Sequence, residues 1–168
     1  QLGNSRPGNT LVPMNSVGNV VCNMSMKDVP VRASLSGAWR IYARGNGSAV
    51  IRHDGTVWTF GKNTEGQLGH AVISERDSTP MPALGLHDLI RDVAITDTGM
   101  SAVTFGGLVY SWGGGTEGQL GAQVGSSLTP VQVKVAEDGG DLTDVFTVAA
   151  GSNHTLAVKE DGTVWAWG

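Results

Sequence analysis

Apolar and polar residues alternate in short runs along this chain, and the clearest example lies at the end of the sequence. Residues 155–159 and 163–167 are apolar runs with β-branched members, and the polar turn between them ends in Asp161-Gly162. Asp-Gly favours tight hairpins, because such turns need positive φ, which Gly adopts freely and Asp tolerates. Apolar residues occupy both sides of each run. The pattern predicts a β-hairpin in a sheet that is covered on both faces.

The hairpin pattern occurs twice more upstream, at residues 48–61 and 100–113. The first copy keeps the Asp-Gly turn, and the second is interpreted as having a turn one residue shorter. The hexapeptide Thr-Glu-Gly-Gln-Leu-Gly follows both copies, at residues 64–69 and 116–121. A unit that recurs in this way indicates a repeat architecture, in which each unit buries its apolar face against the next one.

The tripeptide Gln-Leu-Gly divides the chain into three units. It begins at Gln1, Gln67 and Gln119. The predicted repeats are therefore residues 1–66, 67–118 and 119–168, all belonging to one domain. The first repeat is longer by 14 residues than the second, and the excess is assigned to an insertion at about residues 14–38. Insertions in repeat proteins map to loops, often on the binding face, so we expect specificity to lie there.

Each repeat has room for about four short strands. A polar turn after Gln-Leu-Gly leads to Thr79-Pro80 or Thr129-Pro130, and proline suits the first residue of a strand. Residues 131–135 alternate, residues 145–150 form an apolar run, and the hairpin adds two more strands. No segment shows helical periodicity with caps. The expected fold is all-β, a β-propeller with about three four-stranded blades.

These motifs together resemble the repeat of the regulator of chromosome condensation (RCC) family. That repeat starts with Gly-x-x-His-Thr/Ser, runs through an Asp-Gly hairpin to Trp-x-Trp/Phe-Gly, and continues into Asn-x-x-Gly-Gln-Leu-Gly. Residues 151–168 match the first three parts, and residues 62–69 match the last. The resemblance implies a β-propeller, usually of seven blades, so three blades make a partial ring. The other blades come from a longer chain, which Gln1 as first residue favours, or from further copies.

The resemblance also implies structural roles for individual residues. His154 takes the place of the family's histidine, which implies hydrogen bonding between blades. Gly47 and Met100 are aligned with it in the first two repeats, and Arg44 replaces the glycine at Gly151. The recurring turn, aromatic and glutamine positions are Gly55, Gly162, Trp58, Tyr110, Trp165, Gln67 and Gln119. Four tryptophans that recur in the hairpins are interpreted as anchors that pack one blade on the next: Trp58, Trp112, Trp165 and Trp167.

Trp39, Arg40 and Tyr42 lie outside the hairpin copies and form the candidate binding surface. Tryptophan, tyrosine and arginine contribute most of the binding energy at protein–protein interfaces. The alternative is a strand that packs against its neighbouring blade, which is the commoner role for such a stretch.

Composition and motifs argue against several classes of function. A net charge of -4 does not favour nucleic acid or anionic membranes, and no apolar run reaches the ~18 residues that membrane insertion requires. One cysteine and four histidines without ligand spacing predict no metal and no cofactor. The pattern Gly-x-Gly-x-x-Gly at residues 113–118 is interpreted as a turn, because no helix follows it. Three carboxylates that could bind calcium are interpreted as a solvated loop: Asp138, Asp141 and Asp144.

The sequence therefore predicts a non-enzymatic β-propeller scaffold whose loops bind a protein partner. A structural component of an extracellular, cell-surface or virion assembly is the alternative. The resemblance also allows a regulator of the guanine-nucleotide exchange type. A sialidase-like or glycan-binding propeller is disfavoured. The Asp box of sialidases has one residue between its Asp and Gly, whereas the two are adjacent in residues 54–58 and 161–165. A glycosidase would also need paired carboxylates. Fold alone does not choose the partner, because function lies in the loops.

Overall fold

The computed structural model describes residues 32–135 and 139–168, and these residues form eleven strands and no helix. The first sheet contains β1 (Ala38–Arg44), β2 (Gly47–Arg52), β3 (Val57–Lys62) and β4 (Arg76–Pro82) in this order. The second contains β5 (Ile90–Ile95), β6 (Gly99–Thr104), β7 (Val109–Gly114) and β8 (Ser126–Gln132). The third contains β9 (Val145–Ala150), β10 (Thr155–Lys159) and β11 (Val164–Trp167). All neighbouring strands are antiparallel.

The sheets pack face to face as consecutive blades of a propeller. One core cluster joins the first two sheets and includes Ile51, Ile90, Met100 and Trp112. A second cluster joins the second and third sheets and includes Val103, Val109, Val148 and Ala157. The first strands of the three sheets, β1, β5 and β9, lie side by side along the inner edge. The all-β propeller expected from the repeats is confirmed as a partial ring of three blades.

The Thr-Pro pairs do not begin strands, so that expectation is wrong. Pro80 lies inside β4, and Pro130 lies inside β8. The β3–β4 register passes from Thr59↔Met81 to Gly61↔Asp77, so residues 78–80 form a bulge opposite Phe60. β7 and β8 show the same shift. Both strands lie at the outer edge of their sheets, where a bulge accommodates a residue that lacks an N–H.

The sheets are offset from the sequence repeats. β4 belongs to the first sheet although its residues follow Gln67, and β8 belongs to the second sheet although its residues follow Gln119. Each of these two blades thus takes its outer strand from the repeat that comes next. Most of the proposed insertion at residues 14–38 lies outside the described residues, as does Asp138.

The three hairpins have turns of equal length, which corrects the shorter turn expected in the second copy. Arg52 N donates to Thr56 O, Thr104 N to Leu108 O, and Lys159 N to Thr163 O. The registers Gly47↔Gly61 and Gly99↔Gly113 then place Gly99, and not Met100, at the position of His154. Met100 instead pairs with Trp112 and is buried in the first core cluster.

Candidate functional site

Each inner strand contains a β-bulge near its start. The β1–β2 register passes from Ala38↔Arg52 to Arg40↔Ile51 and leaves Trp39 as the extra residue. The extra residue is Arg91 in β5 and Phe146 in β9. A bulge interrupts the alternation of side chains and redirects the residue that it adds. The same irregularity therefore turns one large side chain per blade toward the same end of the propeller.

The β6–β7 hairpin brings a further aromatic ring to this end. The ring of Phe105, at the tip of the hairpin, stacks on Trp39 with centroids 6.1 Å apart and planes at 24°. The backbone holds it there, because Phe105 N donates to Leu89 O at 2.9 Å. The side chains of Trp39, Phe105 and Phe146 are 42%, 54% and 56% exposed. Such a group of exposed rings makes this surface a candidate binding site.

Two guanidinium groups lie on these rings. Arg40 lies 4.6 Å from the centroid of Trp39. Arg91 lies between two rings, 5.6 Å from Phe105 and 5.1 Å from Phe146, and its Nη2 donates to Phe105 O at 3.0 Å. We call this surface the aromatic rim. It consists of Trp39, Arg40, Arg91, Phe105 and Phe146.

The hairpin tips of one blade are attached to the inner strand of the next. Ile90 N donates to Gly55 O at 3.0 Å, and Val145 N donates to Gly107 O at 3.0 Å. Gly55 has φ of 78°, and a Cβ added there would lie 2.5 Å from Cδ2 of Leu89. Only glycine fits this close approach at positive φ. The attachment fixes the spacing of the bulges and hence the geometry of the aromatic rim.

Tyr42 does not join Trp39 and Arg40 on the surface. Its hydroxyl donates to Asp92 Oδ1 at 2.8 Å, and Asp92 Oδ2 accepts from Thr147 Oγ1 at 2.5 Å and from Val148 N at 3.2 Å. Burial raises the pKa of the Tyr42 phenol, and the hydrogen bond to Asp92 raises it further. The buried carboxylate of Asp92 therefore connects all three blades.

Arg44 makes a second connection among the inner strands. Its Nε lies 3.3 Å from Asp97 Oδ1, while Nη1 donates to Ala150 O at 2.9 Å and Nη2 donates to Ser152 Oγ at 3.1 Å. An open cavity of about 450 Å³ lies between the inner strands and is lined by residues of β1, β5 and β9. Arg44 and Asp92 lie at its wall, and their polar groups are hydrogen-bonded to residues of neighbouring blades.

The repeated residues that were assigned structural roles lie in the hairpins and in the loops after them. Gln67 and Gln119 are buried, and their Oε1 atoms accept from Glu65 N and Glu117 N. Trp112 Nε1 donates to Gln67 O at 2.9 Å, which joins the second blade to the first. Trp112 itself is fully buried.

The remaining repeat positions are less buried. Trp58 and Trp165 are half-buried, and each indole Nε1 donates to the threonine two residues earlier. Tyr110 is half-buried, and Gly162 is exposed at φ of 84°. His154 is exposed with its ring against Gly151, and its side chain forms no hydrogen bond with the described residues. The hydrogen bond between blades that was implied for His154 stays a prediction.

Sequence reasoning missed Arg91, Phe105, Phe146 and Asp92. The signal that could have found the bulge positions is the repeat itself, since Trp39, Arg91 and Phe146 occupy equivalent positions in three blades. Within residues 32–135 and 139–168 no group of three His, Cys, Asp or Glu is placed to hold a metal ion. No helix in the described part of the chain is long and apolar enough to span a membrane.

Comparisons with known proteins agree with this architecture. The human protein WBSCR16 superposes with a TM-score of 0.70 at 21% identity, covering 83% of this chain and 35% of that chain. Prp20p from Saccharomyces cerevisiae gives a TM-score of 0.66 at 21% identity, covering 80% of this chain and 34% of that chain. At such identities the likeness concerns the fold.

Sequence relatives are found among larger proteins. The human E3 ubiquitin-protein ligase HERC2 is 31% identical over 131 residues, which is 76% of this chain and 3% of the ligase. The ultraviolet-B receptor UVR8 of Arabidopsis thaliana is 32% identical over 121 residues, which is 70% of this chain and 26% of the receptor. The chain thus spans about a quarter or less of these relatives. The family model "Regulator of chromosome condensation (RCC1) repeat" matches residues 54–96 and 106–158, so the chain belongs to the RCC1 repeat family.

Proposed function

We propose that this chain is part of a non-enzymatic β-propeller scaffold that binds a protein partner through the aromatic rim. The observation that carries the proposal is the exposure of Trp39, Phe105 and Phe146 beside two arginines, drawn from three blades onto one surface. Leu89, also exposed, extends the apolar area. Tryptophan and arginine are enriched in the residues that dominate protein interfaces.

The rigidity of the rim supports the same function. Backbone hydrogen bonds join the hairpin tips to Ile90 and Val145, and the carboxylate of Asp92 ties the three inner strands together. A surface that is already ordered loses less conformational entropy on binding than a flexible loop does. The blades therefore supply a preorganised platform, and the bulge residues supply its contacts.

The relatives favour protein binding over catalysis as the role of these blades. The Prp20p structure is described together with binding of that protein to Gsp1p and histones. HERC2 is named as a ligase, but this chain corresponds to 3% of it, so that activity does not transfer. From these proteins we carry over to this chain only the general role of protein binding, because the loops determine which partner is bound.

We further propose that additional blades of the same type cover the two outer faces of the arc. In the middle blade, Val93 and Val109 are 3% and 0% exposed. Ile41 and Val164, their equivalents on the two outer faces, are 79% and 66% exposed. In the middle blade, the neighbouring blades bury these positions. Further blades of the same type would bury Ile41 and Val164 on the outer faces in the same way. Such blades come from a longer chain or from other copies.

Affinity capture with point variants tests the role of the rim. The 168-residue chain, Trp39→Ser, Phe105→Ser and the control Ile73→Ser are used as baits in an extract of the source organism. Ile73 is 62% exposed in the loop between β3 and β4, so its replacement removes a similar apolar surface elsewhere. Proteins bound by the wild type are quantified by mass spectrometry, and each candidate partner is then purified and titrated by calorimetry.

We expect to capture a partner that binds the wild type and Ile73→Ser with equal affinity. Both rim variants should bind this partner at least tenfold more weakly, a loss of about 1.4 kcal/mol or more in binding free energy. Thermal unfolding of each bait establishes that the rim variants are folded. A partner whose affinity is unchanged by both rim variants would place the binding surface elsewhere and overturn the proposal.

A further inference from the structure

We infer that Arg91 binds a carboxylate of the partner, so that the partner presents an acidic segment with an apolar side chain next to it. The inference rests on the proposed function, since it assigns a chemistry to the same aromatic rim. It names the contact that gives this surface selectivity.

The guanidinium of Arg91 is oriented but incompletely bonded. Phe105 and Phe146 lie on it at 5.6 and 5.1 Å, and Phe105 O accepts from Nη2. The buried Nε has no acceptor among the described residues. The residue as a whole is half-buried, and the hydrogen bond of its Nη2 lies at the surface, so a partner's carboxylate can reach the terminal nitrogens and form a charge-assisted bond there. The aromatic contacts hold the group in place before the partner arrives.

Among the described residues, the other cations at this end of the propeller have carboxylate partners. Arg40 lies 3.9 Å from Asp92, Arg52 lies 2.8 Å from Asp54, and Lys159 lies 4.0 Å from Asp144. Within residues 32–135 and 139–168, no carboxylate lies at ion-pair distance from Arg91. Arg91 is therefore the cation of the rim whose charge remains available to a ligand.

The surroundings favour an acidic protein segment over a polyanion. Nucleic-acid surfaces carry several free cations, because affinity grows with each phosphate that is neutralised. Within the described part of the rim, Arg91 lacks a carboxylate partner and Arg40 lies beside Asp92, while the whole chain carries a net charge of -4. The exposed rings of Trp39 and Phe105 next to Arg91 instead suit an aliphatic or aromatic side chain of the partner.

A pair of peptides tests this chemistry. The acidic probe is acetyl-Gly-Glu-Leu-Glu-Phe-Gly-amide, and the neutral probe carries Gln in place of both Glu. Each is titrated into the ¹⁵N-labelled 168-residue chain, with the indole N–H of Trp39 and the Nε–H of Arg91 as reporters. We expect shifts at both reporters and binding of the acidic probe at least tenfold tighter than that of the neutral probe.

Variants separate the charge of Arg91 from its shape. Arg91→Gln is expected to remove the preference for the acidic probe, and Arg91→Lys to retain only part of it, because an ammonium cannot make planar contacts with both rings. Arg76→Gln is the matched control, since Arg76 is an exposed arginine on the outer strand β4. It should leave the preference unchanged. Amide spectra of each variant show whether the fold is intact.

Equal binding of the two peptides, or binding of neither, would overturn the inference. Tighter binding of an eight-residue oligothymidylate than of the acidic peptide would also overturn it and would indicate a nucleic-acid surface. These outcomes differ from failure of the proposed function, which would appear as a captured partner whose affinity ignores Trp39→Ser and Phe105→Ser. A rim that binds both peptides equally would still be a docking surface, but one selected by apolar contacts.

Discussion

The phenol of Tyr42 in the first blade donates a 2.8 Å hydrogen bond to Asp92 in the second, whose other carboxylate oxygen accepts from Thr147 in the third. One buried carboxylate thus holds three inner strands in register. Removing the Asp92 carboxylate would release the inner strands that carry the bulges. The hydrogen bonds of Asp92 therefore connect the stability of the blades to the geometry of the aromatic rim.

Asp92→Asn should destabilise the protein by about 2–4 kcal/mol, because an amide cannot accept on both sides and leaves a buried donor unpaired. Tyr42→Phe removes one donor and should cost about 1 kcal/mol. Urea unfolding followed by tryptophan fluorescence measures both. Asp97→Asn is the control, since Asp97 is an exposed carboxylate bonded to Arg44, and its removal should cost under about 1 kcal/mol. An Asp92→Asn protein as stable as Asp97→Asn would contradict the prediction.

Tyr42 should lower the stability of the protein at alkaline pH. Burial, and then the hydrogen bond to Asp92, raise the pKa of its phenol above the usual 10.0. The folded state therefore favours the protonated form, and the stabilisation is complete below about pH 10 and lost as the pH rises through the higher folded pKa. The free energy of unfolding should fall above about pH 10, and Tyr42→Phe should reduce that fall.

Absorbance at 295 nm isolates this titration. The chain contains two tyrosines, so Tyr42 is the single phenol in Tyr110→Phe. Burial also raises the pKa of Tyr110, which is why it must be removed for the measurement. Phenolate formation in the folded Tyr110→Phe protein should have its midpoint above 10.0. A midpoint at or below that value would contradict the structural assignment.

Two turn glycines provide a matched test of how the blades are attached. Both have positive φ, 78° at Gly55 and 84° at Gly162. A Cβ at Gly55 would lie 2.5 Å from Leu89, whereas at Gly162 it meets no atom within 4 Å. Gly162→Ala should cost about 1 kcal/mol from backbone strain alone, and Gly55→Ala about 2–4 kcal/mol because a clash is added. Equal losses in thermal or urea unfolding would show that the contact with Leu89 is easily relieved.

Two equivalent valines test the order of the blades. Val109 is fully buried between the second and third blades, while Val164 on the outer face is 66% exposed. Val109→Asp should cost about 4 kcal/mol or more, because it buries an unpaired charge. Val164→Asp should change the stability of the 168-residue chain by about 0.5 kcal/mol or less, as surface substitutions do. A comparable loss at Val164 in this chain would mean that the outer face is already covered.

Several elements were predictable because their signals are local. Residues 145–150 and 155–159 were expected as strands and form β9 and β10 with those bounds. Alternation and the Asp-Gly turn depend on neighbouring residues, so they are visible in the sequence. The strand predicted at residues 131–135 is wrong in its bounds, because β8 spans Ser126–Gln132. The bulge that accommodates Pro130 inside this edge strand depends on the partner strand and is not visible locally.

The candidate site was only partly predictable. The residue types of Trp39, Arg40 and Tyr42 predict a contact surface. Trp39 and Arg40 lie on an exposed surface, but Tyr42 turns inward to Asp92, 50 residues away. The residues next to Phe105 and Phe146 in the sequence do not distinguish them from other apolar residues. Their role depends on the packing of the blades, which places Arg91 between the two rings.

The sequence by itself determined the blade, since hairpin turns, strand alternation and the repeated Gln-Leu-Gly act within one repeat. Only the tertiary structure decided which side chains meet across blades, because these contacts depend on bulges and on strand register. The family and the fold follow from the first kind of information. The aromatic rim and the carboxylate that joins the inner strands follow from the second.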